Sequence, residues 1–156
     1  MSLHERCFAF EADFVEDLRC LPMAVRRKLD LAGVKLKLSH WHSLDSDERA
    51  RLLVWSDAPA AIVDLRQWLQ RRTAELADGP ARAIDPAIAA DWQQLEAVPE
   101  RLRAACEQLG SGVELAQWQS LDELQRFALV KLSHPGHEHR NLPRALMEFG
   151  LGLGCP

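Results

Sequence analysis

The chain has 156 residues, 47% of them hydrophobic and 27% charged, with a formal net charge of −4 at pH 7. That length points to one domain, and that balance to an ordinary water-exposed globular protein. The acidic total argues against a general nucleic-acid binder, and no apolar run approaches the roughly 20 residues that span a bilayer. The N-terminal MSLHERCFAFEADF carries early acids and no apolar core of a signal peptide, so the expectation is a cytoplasmic protein.

The chain repeats its own middle at an offset of 77 residues without a gap. Leu18 to Leu53 lies over Leu95 to Val130, and 11 of 36 positions are identical. The matches include Pro22/Pro99, Gly33/Gly110, Trp41/Trp118, Asp45/Asp122 and Arg49/Arg126. Such residues start helices, stop helices or anchor a core. The repeat predicts an all-α fold of two pseudo-symmetric helical units fused into one domain. Unit one covers about 8–78, a linker about 79–90, unit two about 91–149, and a flexible tail 150–156.

In chain order, the first predicted helix of each unit begins at Pro22 or Pro99, in the N1 role that tolerates a missing N–H. It ends at Gly33 or Gly110, where a left-handed residue is wanted. Val25, Leu29 and Ala32, with Leu102, Cys106 and Leu109, keep the helical spacing. A short extended piece follows each glycine, and the two pieces are expected to pair as a ribbon. The second helix starts after Trp41 or Trp118. Ser120–Glu123 reads as a capping box, with Ser43, or an Asp45–Glu48 box, in the first unit. The third helix spans about Pro59–Ala77 in the first unit and Asn141–Phe149 in the second. Residues 78–90, rich in Ala, Pro and Gly, read as the linker. Trp41 and Trp118 are expected in the core, and Cys7, Cys20, Cys106 and Cys155 as free thiols, Cys106 buried.

Two segments carry candidate chemistry. From Arg19 to Lys37 there are six basic residues against one acid, Asp30. This run is either a solvated face or a docking face for an acidic protein. The second segment is His134-Pro-Gly-His137-Glu138-His139-Arg140-Asn141. Its imidazoles and carboxylate are metal-ligand types, but Pro135 and Gly136 deny them a helical frame. The bland reading is a turn capped by Asn141, and the remaining one a recognition loop. No metal and no cofactor are expected. His40 and His42 become Gln117 and Gln119 in the second unit, which favours a polar role at a helix edge over catalysis. No nucleotide-binding, hydrolase or paired-carboxylate motif is present.

Several phrases resemble the nitrate-reductase-associated protein family. They are Phe8-Ala-Phe-Glu11-Ala-Asp13-Phe14, Leu18-Arg-Cys-Leu-Pro-Met23 with Val25-Arg26 and Lys28-Leu-Asp30, Gly33-Val-Lys-Leu-Lys-Leu38 with Trp41, Gln125-Arg-Phe-Ala-Leu-Val-Lys-Leu-Ser133, and Pro135-Gly-His-Glu138 with Asn141 and Glu148-Phe149. In the family pattern Asn follows Pro-Gly-His-Glu, and Phe follows the later Asn; here His139 and Leu142 stand there. The resemblance implies a small non-catalytic accessory protein of assimilatory nitrate reductase, a molybdenum and iron–sulfur enzyme, acting in its maturation, stability or cofactor loading. The residues expected to meet that partner are Arg19, Arg26 and Lys28 on the basic helix, and Lys131, His134, His137, Glu138 and Asn141 in the later segment. A pseudo-dyad would bring them onto one face. The alternatives are a metal-binding enzyme or sensor using the 134–139 loop, and a general helical interaction module.

Overall fold

The computed structural model describes residues 7–135 and 141–151. They are mostly helical, with one small two-stranded sheet. The chain divides into two compact units, Met1–Ile88 and Ala89–Pro156.

The first unit opens with a 3-10 turn, Ala9–Glu11, and a short helix α1, Ala12–Glu16. Helix α2, Met23–Ala32, has Pro22 as its N-cap rather than its first helical residue. It stops at Gly33, whose φ of 75° is the left-handed conformation that glycine adopts freely. After strand β1, Val34–Lys35, come α3, Leu38–Ser43, α4, Ser46–Val54, and α5, Pro59–Ala74. Strand β2, Arg82–Ala83, pairs antiparallel with β1, Val34 opposite Ala83. Among the described residues β1 is paired with β2 of its own unit, not with the extended piece after Gly110 that was expected to join it in a ribbon. Part of the predicted linker is therefore structural here. Ile84 N donates to Gly33 O (2.9 Å) and Ala87 N to Asp30 O (2.9 Å), tying this segment to the end of α2. Helix α2 packs against α4 and α5 around Val25, Leu29, Trp41, Leu52, Leu65 and Leu69, all buried.

The second unit has a 3-10 turn, Asp91–Gln93, then α6, Glu100–Gln108, α7, Leu115–Ser120, α8, Glu123–Leu132, and α9, Asn141–Glu148. Helix α8 is its centre, packing against α6, α9 and the Asp91–Gln93 turn. Trp92 meets Phe127 edge-on, with ring centroids 5.1 Å apart. Cys106 is buried, as is Trp118, and Trp41 in the first unit is buried too.

Both tryptophans lie inside short helices, α3 and α7, and not just before the next helix. In the first unit the Asp45–Glu48 box forms as one of the two expected starts, whereas in the second the box sits two residues later than Ser120–Glu123, at Asp122–Gln125. Asp45 Oδ1 accepts from Glu48 N and Asp122 Oδ1 from Gln125 N, each at 2.8 Å, and the reciprocal side-chain bonds are both 3.0 Å. Ser120 ends α7 and donates to Gln117 O (2.7 Å) instead.

Candidate functional site

The two N-terminal phrases that carry the resemblance meet at one buried carboxylate. Glu11 is fully buried, and its Oε1 accepts from Phe8 N (3.2 Å). Its Oε2 accepts from Met23 N (3.0 Å), the first N–H of α2, which has no partner within the helix. A carboxylate at a helix N-terminus is favoured both by the free N–H and by the dipole. Burial pushes the Glu11 carboxyl above its ordinary range. Bonds from Met23 and Phe8, a hydrogen bond with Cys7 and the Arg26 charge oppose that rise. Phe8 and Phe10 stack beside the turn at 5.4 Å.

Cys20 borders this junction. Burial and then the Glu11 charge push its thiol up to about 11, against the pull of Arg26 and Arg19. A thiol held protonated at neutral pH is a poor nucleophile. The arrangement anchors a segment rather than activating a group. Arg26 is half-buried with Nη1 3.7 Å from Met23 Sδ, and Arg19 is exposed, 3.4 Å from Asp17.

The rest of the basic run is not one solvated face. Lys28, expected to meet a partner, is only 1% exposed, and its ammonium donates to Leu52 O (3.0 Å) and Leu53 O (2.5 Å). These carbonyls lie in the last turn of α4, where helices leave acceptors unsatisfied and favour cations. Lys28 therefore ties α2 to α4 and presents no charge to solvent. Arg27 is buried as well and pairs with Asp57 at 3.0 Å. Lys35 and Lys37 are exposed.

In the second unit, Lys131 holds its ammonium 5.2 Å from the Phe127 ring centroid. His134 is exposed, with Nδ1 donating to Pro135 O (2.7 Å) and its backbone N to Lys131 O (3.4 Å). Asn141 begins α9 and accepts from Arg144 Nη1 (3.3 Å). His137 and Glu138, with His139 and Arg140, lie outside the described residues. Among the described residues no group of three His, Cys, Asp or Glu side chains is placed to hold a metal.

The histidines flanking Trp41 do at a helix edge what the glutamines flanking Trp118 do. His40 Nδ1 accepts from Lys37 N (3.1 Å), as Gln117 Oε1 accepts from Glu114 N (2.9 Å). His42 Nε2 donates to Leu18 O (2.6 Å), as Gln119 Nε2 donates to Leu95 O (2.9 Å). An imidazole and a primary amide each offer one acceptor and a donor, so they substitute for one another here. Sequence reasoning missed Arg66, Val63 and Ile88, which border a cleft on the first unit. The available signal was Val63, an apolar residue next to Ile62 but off the buried stripe of α5.

The family whose model matches this chain is described as conserved nitrate reductase-associated protein, and the match covers residues 7–149. No curated protein and no solved structure matches the chain. Among the described residues no helix is long and apolar enough to cross a membrane.

Proposed function

This chain belongs to the family of conserved nitrate reductase-associated proteins, and from that premise we propose that it is a non-catalytic accessory protein. It binds assimilatory nitrate reductase and supports that enzyme's maturation, stability or cofactor loading. The observation that carries the reading is the family match over 7–149, nearly the whole chain. The Glu11 junction supports it, since a buried carboxylate there fixes the segment that carries Arg19 and leaves Arg26 near it. We assign the charged contact on the first unit to Arg19 and Arg26, aided by exposed Lys35 and Lys37, and remove Lys28 from it. On the second unit the reading keeps Lys131, His134, His137, Glu138 and Asn141. We also read the two units as a pseudo-symmetric duplication, on the hydrogen bonds that recur 77 residues apart.

Surface cations facing an acidic partner chiefly raise the association rate and make it salt-sensitive. The experiment is binding of purified reductase to the full chain at low and high salt. Arg19→Glu with Arg26→Glu is expected to slow association at low salt and to leave the fold intact. Equal binding by that variant removes the cationic contact from the reading. A parent protein that binds no reductase, together with unchanged nitrate reduction after gene deletion, overturns the accessory role.

A further inference from the structure

The first unit carries a cleft of about 650 Å³ between the end of α2, the start of α5 and the segment after β2. Leu31, Ala32 and Ile62 line it, and Val63 and Ile88 stand open at 56% and 84% exposure. Two charged side chains border it. Asp57 is held by Arg27 at 3.0 Å. Arg66, half-buried, has no hydrogen-bond or ion-pair partner among the described residues. The cleft thus offers an apolar floor, an apolar rim in water and one uncompensated cation.

We propose that this cleft docks a segment of the reductase that lays apolar side chains over Leu31, Ile62, Val63 and Ile88 and sets an aspartate or glutamate against Arg66. The inference rests on the accessory reading above and gives it a second, apolar contact. Charge selects the occupant: a neutral or basic segment leaves the Arg66 guanidinium desolvated and unpaired. Exposure selects its size, because a small ligand seated on the floor leaves Val63 and Ile88 wet, whereas a segment laid across covers them. The cleft is also built, not incidental. A Cβ on Gly33 would come within 2.6 Å of Ile84 O and 3.0 Å of Pro86, so only glycine lets this wall cross the end of α2 so closely.

The test uses the full chain, purified reductase and 8-anilinonaphthalene-1-sulfonate, an apolar monoanion. The parent should bind this probe saturably while folded, and reductase should displace it. Arg66→Glu and Val63→Asp, both on the outer side of α5, should each weaken probe and reductase binding at least tenfold. Gln67→Asp, off the cleft, should change neither, and circular dichroism should be unaltered in all three. Reductase that binds without displacing the probe, or binds Arg66→Glu and Val63→Asp as it binds the parent, overturns the docking site and leaves the accessory role standing. Failure of the parent to bind reductase at all overturns the docking site, and with unchanged nitrate reduction after gene deletion it overturns the accessory role as well. Failure to bind the probe removes the apolar-anion chemistry of the cleft.

Discussion

The two units solve the same backbone problems at the same positions and then diverge in what they bury. Both cap α3 or α7 with residue 40 or 117, tether residue 42 or 119 to a carbonyl 24 residues earlier, and begin the next helix with an Asp box. Both place an arginine, Arg49 or Arg126, on the carbonyl of the leucine that closes the short helix. The first unit adds buried Glu11 on α2 and buried Lys28 on α4, and a half-buried pair of Arg72 with Glu48. At the positions matching Lys28 and Glu48 the second unit has Ala105 and Gln125. The shared positions satisfy the backbone of a fold, while the unshared ones tie the first unit's segments together around its junction and cleft.

The largest expected break in this comparison is at Lys28. Lys28→Glu sets a buried carboxylate against two carbonyl oxygens and should cost about 3–5 kcal/mol, enough to unfold a marginal domain. Lys28→Met keeps the volume and loses the ammonium, and should cost about 1–3 kcal/mol through the unsatisfied carbonyls. Urea denaturation of both variants measures this. A loss below about 0.5 kcal/mol for Lys28→Glu would mean that the side chain is in water.

The glycine pair comes next. Gly33 and Gly110 share a left-handed φ, 75° and 70°. Nothing lies within 4 Å of a Cβ on Gly110, whereas one on Gly33 meets backbone of residues 84 and 86. Gly110→Ala should cost only the conformational strain, about 1–2 kcal/mol. Gly33→Ala adds overpacking and should exceed it by about 1–3 kcal/mol. Thermal or urea unfolding compares them, and equal losses would deny that the segment after β2 is fixed on α2.

Why one glycine is crowded and the other open was not legible in the sequence. The repeat marks both as helix stops, and it marks the Trp pair as core and the His/Gln exchange as a polar role at a helix edge. Local chemistry at fixed spacing is what an ungapped repeat preserves. The residues at 82–88 lie outside the repeated stretch 18–53, so the repeat carried no signal for their pairing with β1. Lys28 misled for a related reason. It sits between Arg27 and Leu29 on a short amphipathic helix, and nothing local says that α4 ends against it. The composition of a charge run does not report which ammonium meets a carbonyl and which meets water.

Acid should act on the first unit through Glu48. Arg72 donates to both its oxygens, 2.6 and 3.2 Å, and holds its carboxyl below the ordinary range. A depressed carboxylate contributes stability that is complete above its unfolded value and lost as pH falls through the folded one. Glu11 has the opposite sign. Its raised carboxyl holds a proton more tightly when folded, so its contribution weakens as pH rises through the ordinary carboxyl value toward the raised one. Glu48→Gln gives the first unit the residue of the second, keeping the cap on Asp45 N and losing the ion pair. It should cost about 1 kcal/mol at pH 7, the upper range for a well-formed pair, and the difference from the parent should close below about pH 4. Denaturant midpoints at pH 7 and pH 3.5 read this. A difference that persists unchanged in acid would show that the cap, not the pair, was lost.

The smallest effect isolates one hydrogen bond. Trp118 Nε1 donates to Gln94 O at 2.8 Å, while Trp41 Nε1 is buried with no partner among the described residues. Trp118→Phe removes a donor and leaves a carbonyl short of it. Trp41→Phe removes only a donor whose burial was uncompensated. Both substitutions give up similar apolar area from nearly the same burial, 0% and 3% exposure, so that loss cancels between them. Trp118→Phe should therefore be the more destabilising by about 1 kcal/mol. Paired urea denaturation curves under one buffer measure the difference. If Trp41→Phe proves equally costly, the Trp41 indole has a hydrogen-bond partner in solution, and the two units are more alike than their backbone bonds make them.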